Sequence, residues 1–159
     1  TLGTNNWYTS NVTLSWSVID NESTATTCDA VTVSSDQAET GYTCTATSAG
    51  GTASNTVTIK RDATPPTATA SASPAANGNG WNNTDVTVSF SSANDLSGIA
   101  SCSSNVLVSS EGANQTNAGT CTDNAGNVSS EANVSINLDK TAPSVSVTGV
   151  SDGGSYALG

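Results

Sequence analysis

The sequence repeats itself once, and this recurrence restricts the possible fold more than any other feature. Trp7 matches Trp81 at an offset of 74 residues, and Cys28 matches Cys102 at the same offset. Cys44 matches Cys121 at an offset of 77, so small insertions separate the matched segments. Self-similarity at such a period is typical of an array of like structural units. The sequence therefore predicts tandem modules rather than one continuous fold.

Apolar side chains alternate with polar ones within the repeated segments. Val12, Leu14 and Trp16 follow this pattern, and residues 86–90 and 134–138 do the same. A period of two indicates strands with one buried face. Thr, Ser, Asn and Gly dominate the remainder, a composition poor in helix formers. The sequence predicts an all-β fold with strands at residues 12–16, 26–29, 31–34, 40–47, 54–60, 67–72, 86–90, 99–102, 106–108 and 128–138.

Two proline-containing spacers divide the chain into units. They are DATPP at residues 62–66 and DKTAP at residues 139–143, and proline stiffens each of them. We expect module one at residues 1–66, without its first strand, and module two at residues 67–143. Residues 144–159 are predicted to supply the first strand of a further module. Alternatively, they are a donor strand that completes module one of another copy. Both accounts predict head-to-tail contact with copies of the chain or with neighbouring repeats.

Each module contains two cysteines, and the chain contains no histidine. A zinc site would need all four thiols from two separate modules, so disulfides are the favoured interpretation. We predict the pairs Cys28–Cys44 and Cys102–Cys121, which imply an oxidising compartment. Modules this small bury little apolar surface and usually need such a staple.

About seven short strands in a module of fewer than 80 residues favour a sandwich of the immunoglobulin type. Several stretches of module two resemble bacterial Ig-like surface repeats, close to the hyalin-repeat type. They are WNNTDVTV (residues 81–88), LSGIASC (96–102), SEGANQ (110–115), CTDNAGN (121–127) and DKTAP (139–143). Module one matches loosely, since it has SAGG at residues 48–51 instead of the DNAGN turn. The resemblance implies tandem Ig-like β-sandwich modules that act as stalk or spacer units, with no common ligand or reaction.

The charge balance and the residue types exclude several function classes. The net charge is −10, and the only cations are Lys60, Arg61 and Lys140, so nucleic-acid binding and attachment to anionic membranes are not expected. No apolar run is long enough to span a bilayer. Without histidine there is no evident base to activate Ser or Thr. We expect no catalytic residues and no enzymatic activity.

Calcium is the one cofactor that the sequence suggests. Two loops, a turn and the two spacers offer carboxylate, amide and carbonyl oxygens, which this hard cation prefers. The candidate residues are Asp20, Glu22, Asp62, Asp95, Asp123 and Asp139. None follows the spacing of a known calcium loop, and the favoured alternative is that these residues only form turns. Trp7 and Trp81 are similarly interpreted as caps of each sandwich, with sugar stacking as the alternative.

These features together predict a structural protein. We expect a spacer or stalk segment of a secreted or surface-exposed repeat protein, forming part of an extracellular filament. The alternative is an adhesive binding module, an adhesin, that recognises a host glycan or protein through exposed loops. A third possibility is an adhesin whose joints are stiffened by calcium. An acidic surface keeps such a chain soluble and attracts divalent cations.

Overall fold

A computed structural model of the chain describes residues 1–93, 95–149 and 153–155. The fold is all-β, as predicted, with eleven strands across these ranges. Within the same ranges, no helix has the length and apolar character needed to cross a membrane. The predicted segment 144–159 falls partly outside this description, since residues 150–152 and 156–159 are not included.

The N-terminal half, residues 1–66, contains four strands: β1 (Val12–Leu14), β2 (Val31–Val33), β3 (Gln37–Ser48) and β4 (Gly51–Arg61). β1 pairs antiparallel with β2, while β3 and β4 form a long hairpin that ends at the pair Ser48 and Gly51. Gly51 has a φ of 133°, which suits glycine at this turn. The buried apolar residues of this half are few: Trp7, Val33, Cys44 and Ile59.

The C-terminal half, residues 67–143, contains β5 (Ala68–Ser73), β6 (Val86–Ser92), β7 (Ile99–Cys102), β8 (Val106–Val108), β9 (Gly112–Gly119), β10 (Cys121–Asp123) and β11 (Ala132–Leu138). One sheet has the order β5-β6-β8. The remaining strands form two separate antiparallel pairs, β9–β11 and β7–β10. Side chains of β6, β8 and β11 meet in a contiguous core of Val86, Val88, Phe90, Val108, Ile136 and Leu138.

Of two predicted strands, one is absent from the structure and the other is shorter. At both places a side-chain group replaces a backbone hydrogen-bond partner. Residues 26–29 form no strand, since the Thr26 hydroxyl accepts the Thr47 N–H in place of a backbone carbonyl. The strand predicted from residue 128 begins only at Ala132. There the Ser129 hydroxyl accepts the Cys121 N–H at 2.9 Å, which interrupts the ladder before β11.

Disulfide bonds join Cys28 to Cys44 and Cys102 to Cys121, the pairs that the sequence predicts. The second pair spans neighbouring strands, because β10 and β7 place Cys121 opposite Cys102. Such bonds form and persist in oxidising environments. Each closes a short loop within one half, with separations of 16 and 19 residues. Each disulfide therefore restricts the unfolded chain of its own half.

Removing one disulfide bond should destabilise the protein measurably. Replacing Cys102 and Cys121 together by Ala should lower the free energy of unfolding by about 3 kcal/mol, because the unfolded chain regains the entropy of an open loop. Urea unfolding followed by circular dichroism measures this change, with the Cys28→Ala, Cys44→Ala double variant as the matched comparison. A loss below about 1 kcal/mol in both variants would show that the disulfides are not major contributors to stability.

Candidate functional site

Three aspartates from distant parts of the sequence meet where the two halves touch. Asp62 lies in the spacer after β4, Asp95 lies in the turn between β6 and β7, and Asp123 ends β10. One carboxylate oxygen of each lies within 4.8 Å of the others. Asp62 has an exposed fraction of 0% and Asp123 of 1%, whereas Asp95 is half-buried. We call this group the acidic cluster.

The turn that follows β10 holds Asp123 firmly. Its Oδ1 accepts the N–H groups of Gly126 at 2.7 Å and Asn127 at 2.8 Å. Its Oδ2 accepts a bond from Asn127 Nδ2 at 2.8 Å. Gly126 has a φ of 99°, a conformation that other residues rarely adopt, so glycine is required in this turn. The Asp-Asn-Ala-Gly-Asn sequence thus fixes the direction of one carboxylate.

Ser97 connects the other two carboxylates. Its N–H donates to Asp62 Oδ2 at 3.0 Å and to Asp95 Oδ1 at 3.1 Å. The Ser97 hydroxyl also donates to Asp95 Oδ1 at 3.0 Å. The other oxygen of Asp62 accepts the Thr64 N–H at 3.2 Å. The buried Asp62 carboxylate therefore accepts hydrogen bonds from neutral N–H groups of both halves.

The basic side chains of the protein contact other groups. All three belong to the described residues, and each has a contact outside the acidic cluster: Arg61 with Asp36, Lys140 with Asp85, and Lys60 over the Trp7 ring. Burying a charge without a counter-charge is unfavourable unless a proton or a bound ion neutralises it. The balance of charge at the cluster therefore depends on something other than a Lys or Arg side chain.

Protonation of Asp95 is one route to neutralisation. Burial and the neighbouring Asp62 side chain raise the pKa of Asp95, and these effects outweigh the bonds from Ser97 that lower it. A proton on Asp95 removes one negative charge from the cluster. A hard cation is the other route, since carboxylate oxygens are its preferred ligands. Asp62, Asp95 and Asp123 are the residues that could hold such an ion.

Further hydrogen bonds tie the N-terminal segment to the turn after β10. Thr4 donates its N–H to the Ala125 carbonyl at 3.0 Å, and its hydroxyl to the Asn124 carbonyl at 2.6 Å. Asn127 Nδ2 donates to the backbone carbonyl of Asp62 at 3.0 Å. Gly3 fits closely here, because a Cβ at this position would overlap the Ala125 carbonyl oxygen. We call these contacts together with the acidic cluster the joint.

The hydrogen bonds that shape the N-terminal side of the joint recur at the far end of the C-terminal half. The bond from Asp62 N to Tyr8 O matches one from Asp139 N to Asn82 O, at offsets of 77 and 74 residues. Three further bonds recur in the same way: Gly3 N to Trp7 O as Asn77 N to Trp81 O, Tyr8 N to Lys60 O as Asn82 N to Asn137 O, and Thr64 N to Asp62 Oδ1 as Thr141 N to Asp139 Oδ1. Asp139 is exposed, however, and Trp81 is 36% exposed against 8% for Trp7.

The other predicted calcium ligands lie apart from the acidic cluster. Asp20 accepts the N–H groups of Glu22 and Ser23, which is the turn-forming role that the sequence favours. The Ser48 hydroxyl and these backbone amides lower the pKa of Asp20 to about 2. Glu22 and Asp139 are exposed. Of the six predicted ligands, only Asp62, Asp95 and Asp123 form a group in the described part of the chain.

Sequence reasoning missed the residues that orient these carboxylates. Ser97, Asn127 and Thr4 each bond across the joint, although no sequence pattern singles them out. The available signal was the position of both turns at one end of the predicted sandwich. No protein-family model matches this sequence, and a search of curated proteins finds no match. The resemblance to Ig-like surface repeats therefore remains a prediction.

Replacing Asp95 by Asn should relieve the repulsion in the cluster. Because folding raises the pKa of Asp95, its contribution to stability is greatest below its ordinary pKa and is lost as pH rises through the raised value. At pH 7 in chelator, the variant should gain a few tenths to about 1 kcal/mol of unfolding free energy, a figure reduced for solvent screening. At pH 3 the gain should vanish. Urea unfolding at both pH values measures it.

The exposed Asp29→Asn provides the control for this experiment, since it removes the same charge outside the joint. Comparing each variant with the wild type at one pH cancels the titration of other groups, such as Asp36 and Glu111, whose pKa values are lowered. An equal gain in both variants would attribute the effect to net charge alone. A loss of stability in Asp95→Asn at pH 7 would contradict the repulsion.

Proposed function

We propose that this chain is a structural spacer of two like modules, residues 1–66 and 67–143, held end to end by the acidic joint. The observation that carries the proposal is the position of Asp62. This spacer residue is fully buried and is bonded on one side by Thr64 and on the other by Ser97. A flexible linker would leave such a residue in water. A spacer fixed in this way would keep two modules in one orientation.

The recurrence of hydrogen bonds at both module ends supports the tandem arrangement. The end of module two at Asp139 has the same hydrogen bonds as the end of module one at Asp62. We therefore expect the Asp139 end to contact a further module as the Asp62 end contacts module two. We infer an extended thread of modules in a secreted or surface-exposed protein, with copies or neighbouring repeats in contact head to tail. Two disulfides and a net charge of −10 suit an extracellular location. The role is mechanical and not catalytic.

Calcium is proposed as the ion that neutralises the joint. Support comes from two buried carboxylates, a third within 4.8 Å, and Lys and Arg contacts that lie elsewhere. The three ligands come from both modules, so an ion would add a direct link between them. Binding to the folded joint alone would stabilise the protein by mass action.

A side chain at Gly3 should separate the modules. Gly3→Ala should broaden the distribution of inter-module angles, because its Cβ would overlap the Ala125 carbonyl and displace the N-terminal segment. Small-angle X-ray scattering measures the maximum dimension and its spread. Gly78→Ala is the matched control, since a Cβ there meets nothing within 4 Å. Unchanged scattering in Gly3→Ala would refute a joint fixed by these contacts.

The spacer role itself is tested by looking for a ligand. The intact wild-type chain should show no saturable binding on a glycan array or to extracellular host proteins. Saturable binding that the Gly3→Ala variant retains would favour the adhesive alternative, because such binding would not need a fixed joint.

Calcium should raise the melting temperature of the wild type. At a calcium concentration 100-fold above the dissociation constant, the free energy of unfolding would rise by about 2.7 kcal/mol. Asp95→Asn should lose most of this response, because it replaces a charged ligand by a neutral amide. Asp29→Asn should respond like the wild type. If the melting temperature of the wild type is the same in chelator and in millimolar calcium, calcium does not neutralise the joint, and protonation of Asp95 remains as the explanation.

A further inference from the structure

The N-terminal half has an open sheet edge where the C-terminal half has a strand. β6 lies between β5 and β8, and its match β1 pairs with β2, the match of β8. Among the described residues, no strand occupies the other edge of β1. An open edge presents unpaired backbone N–H and C=O groups, which favour the addition of another strand.

A cavity lies beside this open edge. Its volume is about 580 Å³, and Leu14, Trp16 and Val57 are among the residues that line it. In the C-terminal half, Val88 and Phe90 are the matches of Leu14 and Trp16. Both belong to the core against which Ala70 and Ala72 of β5 pack. The N-terminal half therefore lacks both a strand and the apolar side chains that the strand would bring.

Residues 144–149 have the sequence expected of that strand. Their sequence, SVSVTG, matches residues 67–72 at an offset of 77, and its apolar residues alternate. In the described structure this segment is not part of a sheet. Val145 is 93% exposed and Val147 is 74% exposed. Two alternating valines are thus left in water.

The register follows from the pairing of β5 with β6. Ala70 pairs with Phe90 and Ala68 with Ser92. The same antiparallel register places Val147 opposite Trp16 and Val145 opposite Val18, both of which line the cavity. Both lie beyond Leu14, the last residue of β1, so the added strand would extend the sheet past its present end. Valine is larger than the alanines that it replaces, which suits an enclosure of this size. Burial of the two valines would remove exposed apolar surface from water, which favours the contact.

The donor segment and the open edge lie at opposite ends of the chain. Residues 144–149 follow Asp139, at the end of the C-terminal half that repeats the joint face. The N-terminal half contacts the other end of that unit, through the turns that contain Asp95 and Asp123. We propose that residues 144–149 of one copy add to a second copy alongside residues 14–19, which continue the chain from the open edge of β1. The inference rests on the proposed function in treating the chain as one unit of a thread.

Strand addition in this register would also bring a second pair of faces together. Asp139 of the donor would approach the turns at 20–23 and 48–51 of the receiving copy, as Asp62 approaches the turns at 95–98 and 123–127. Ser23 matches Ser97 at an offset of 74, and Ser48 matches Ala125 at 77. Both turns of the receiving copy already lie side by side, because Asp20, Ser48 and Gly51 line the same pocket. The added strand would therefore also bring Asp139 of one copy to the turns of the next copy, in contacts like those of the joint.

Sedimentation equilibrium of the intact chain tests this contact. The wild type should associate as its concentration rises, with a blue shift of Trp16 fluorescence. Replacing Val145 and Val147 together by Asp should weaken association at least tenfold, because two charges would enter an apolar cavity. Both positions are exposed and outside the sheets, so the monomer should stay folded by circular dichroism. Leu107→Asp, which changes another exposed apolar residue, should associate like the wild type.

Two outcomes would overturn the proposal. One is a wild-type chain that remains monomeric up to about 1 mM, because the dissociation constant of any self-association would then lie above that concentration. The other is association that the Val145→Asp, Val147→Asp variant retains, since the contact would then lie elsewhere. Neither outcome touches the joint within one chain, which the scattering of Gly3→Ala tests separately.

Discussion

The carboxylate of Asp62 is buried at the point where the two halves meet, and the arrangement around it follows from that burial. A buried charge must be bonded or neutralised, so the Ser97 N–H and the Thr64 N–H both point at it. Asp95 and Asp123 add charge of the same sign within 4.8 Å. Burial, together with the neighbouring Asp62 side chain, raises the pKa of Asp95. The joint therefore combines specific hydrogen bonds with an electrostatic strain that a proton or a cation relieves.

The two halves differ in the size of their apolar cores. The C-terminal half has a third strand, β5, and a contiguous apolar cluster against which Ala70 and Ala72 pack. The N-terminal half has a two-stranded sheet, a cavity of about 580 Å³ and a small set of buried apolar residues. Its disulfide and its contact with the neighbouring half compensate for part of this deficit. An added strand would supply the remainder.

Alternation of apolar residues was sufficient to predict the all-β class and most strands, and the occurrence of two cysteines in each repeat was sufficient to predict the two disulfides. Alternation was not sufficient at residues 26–29 and 128–131, because the hydroxyls of Thr26 and Ser129 compete for backbone bonds. Half of the predicted calcium ligands meet in the structure, since the segment after β4, the turn before β7 and the end of β10 bring Asp62, Asp95 and Asp123 together where the halves touch. Asp20 serves its own turn instead. Sequence spacing cannot distinguish these cases, because three-dimensional proximity depends on how the halves dock.

The most direct test of a fixed joint is the measurement of residual dipolar couplings for the backbone amides of the intact chain in one dilute alignment medium. If the contacts of Asp62, Thr4 and Asn127 hold the halves together, couplings from residues 1–66 and 67–143 should fit a single alignment tensor with one magnitude and one orientation. Two tensors that differ in magnitude would show that the halves reorient independently, which would contradict the account.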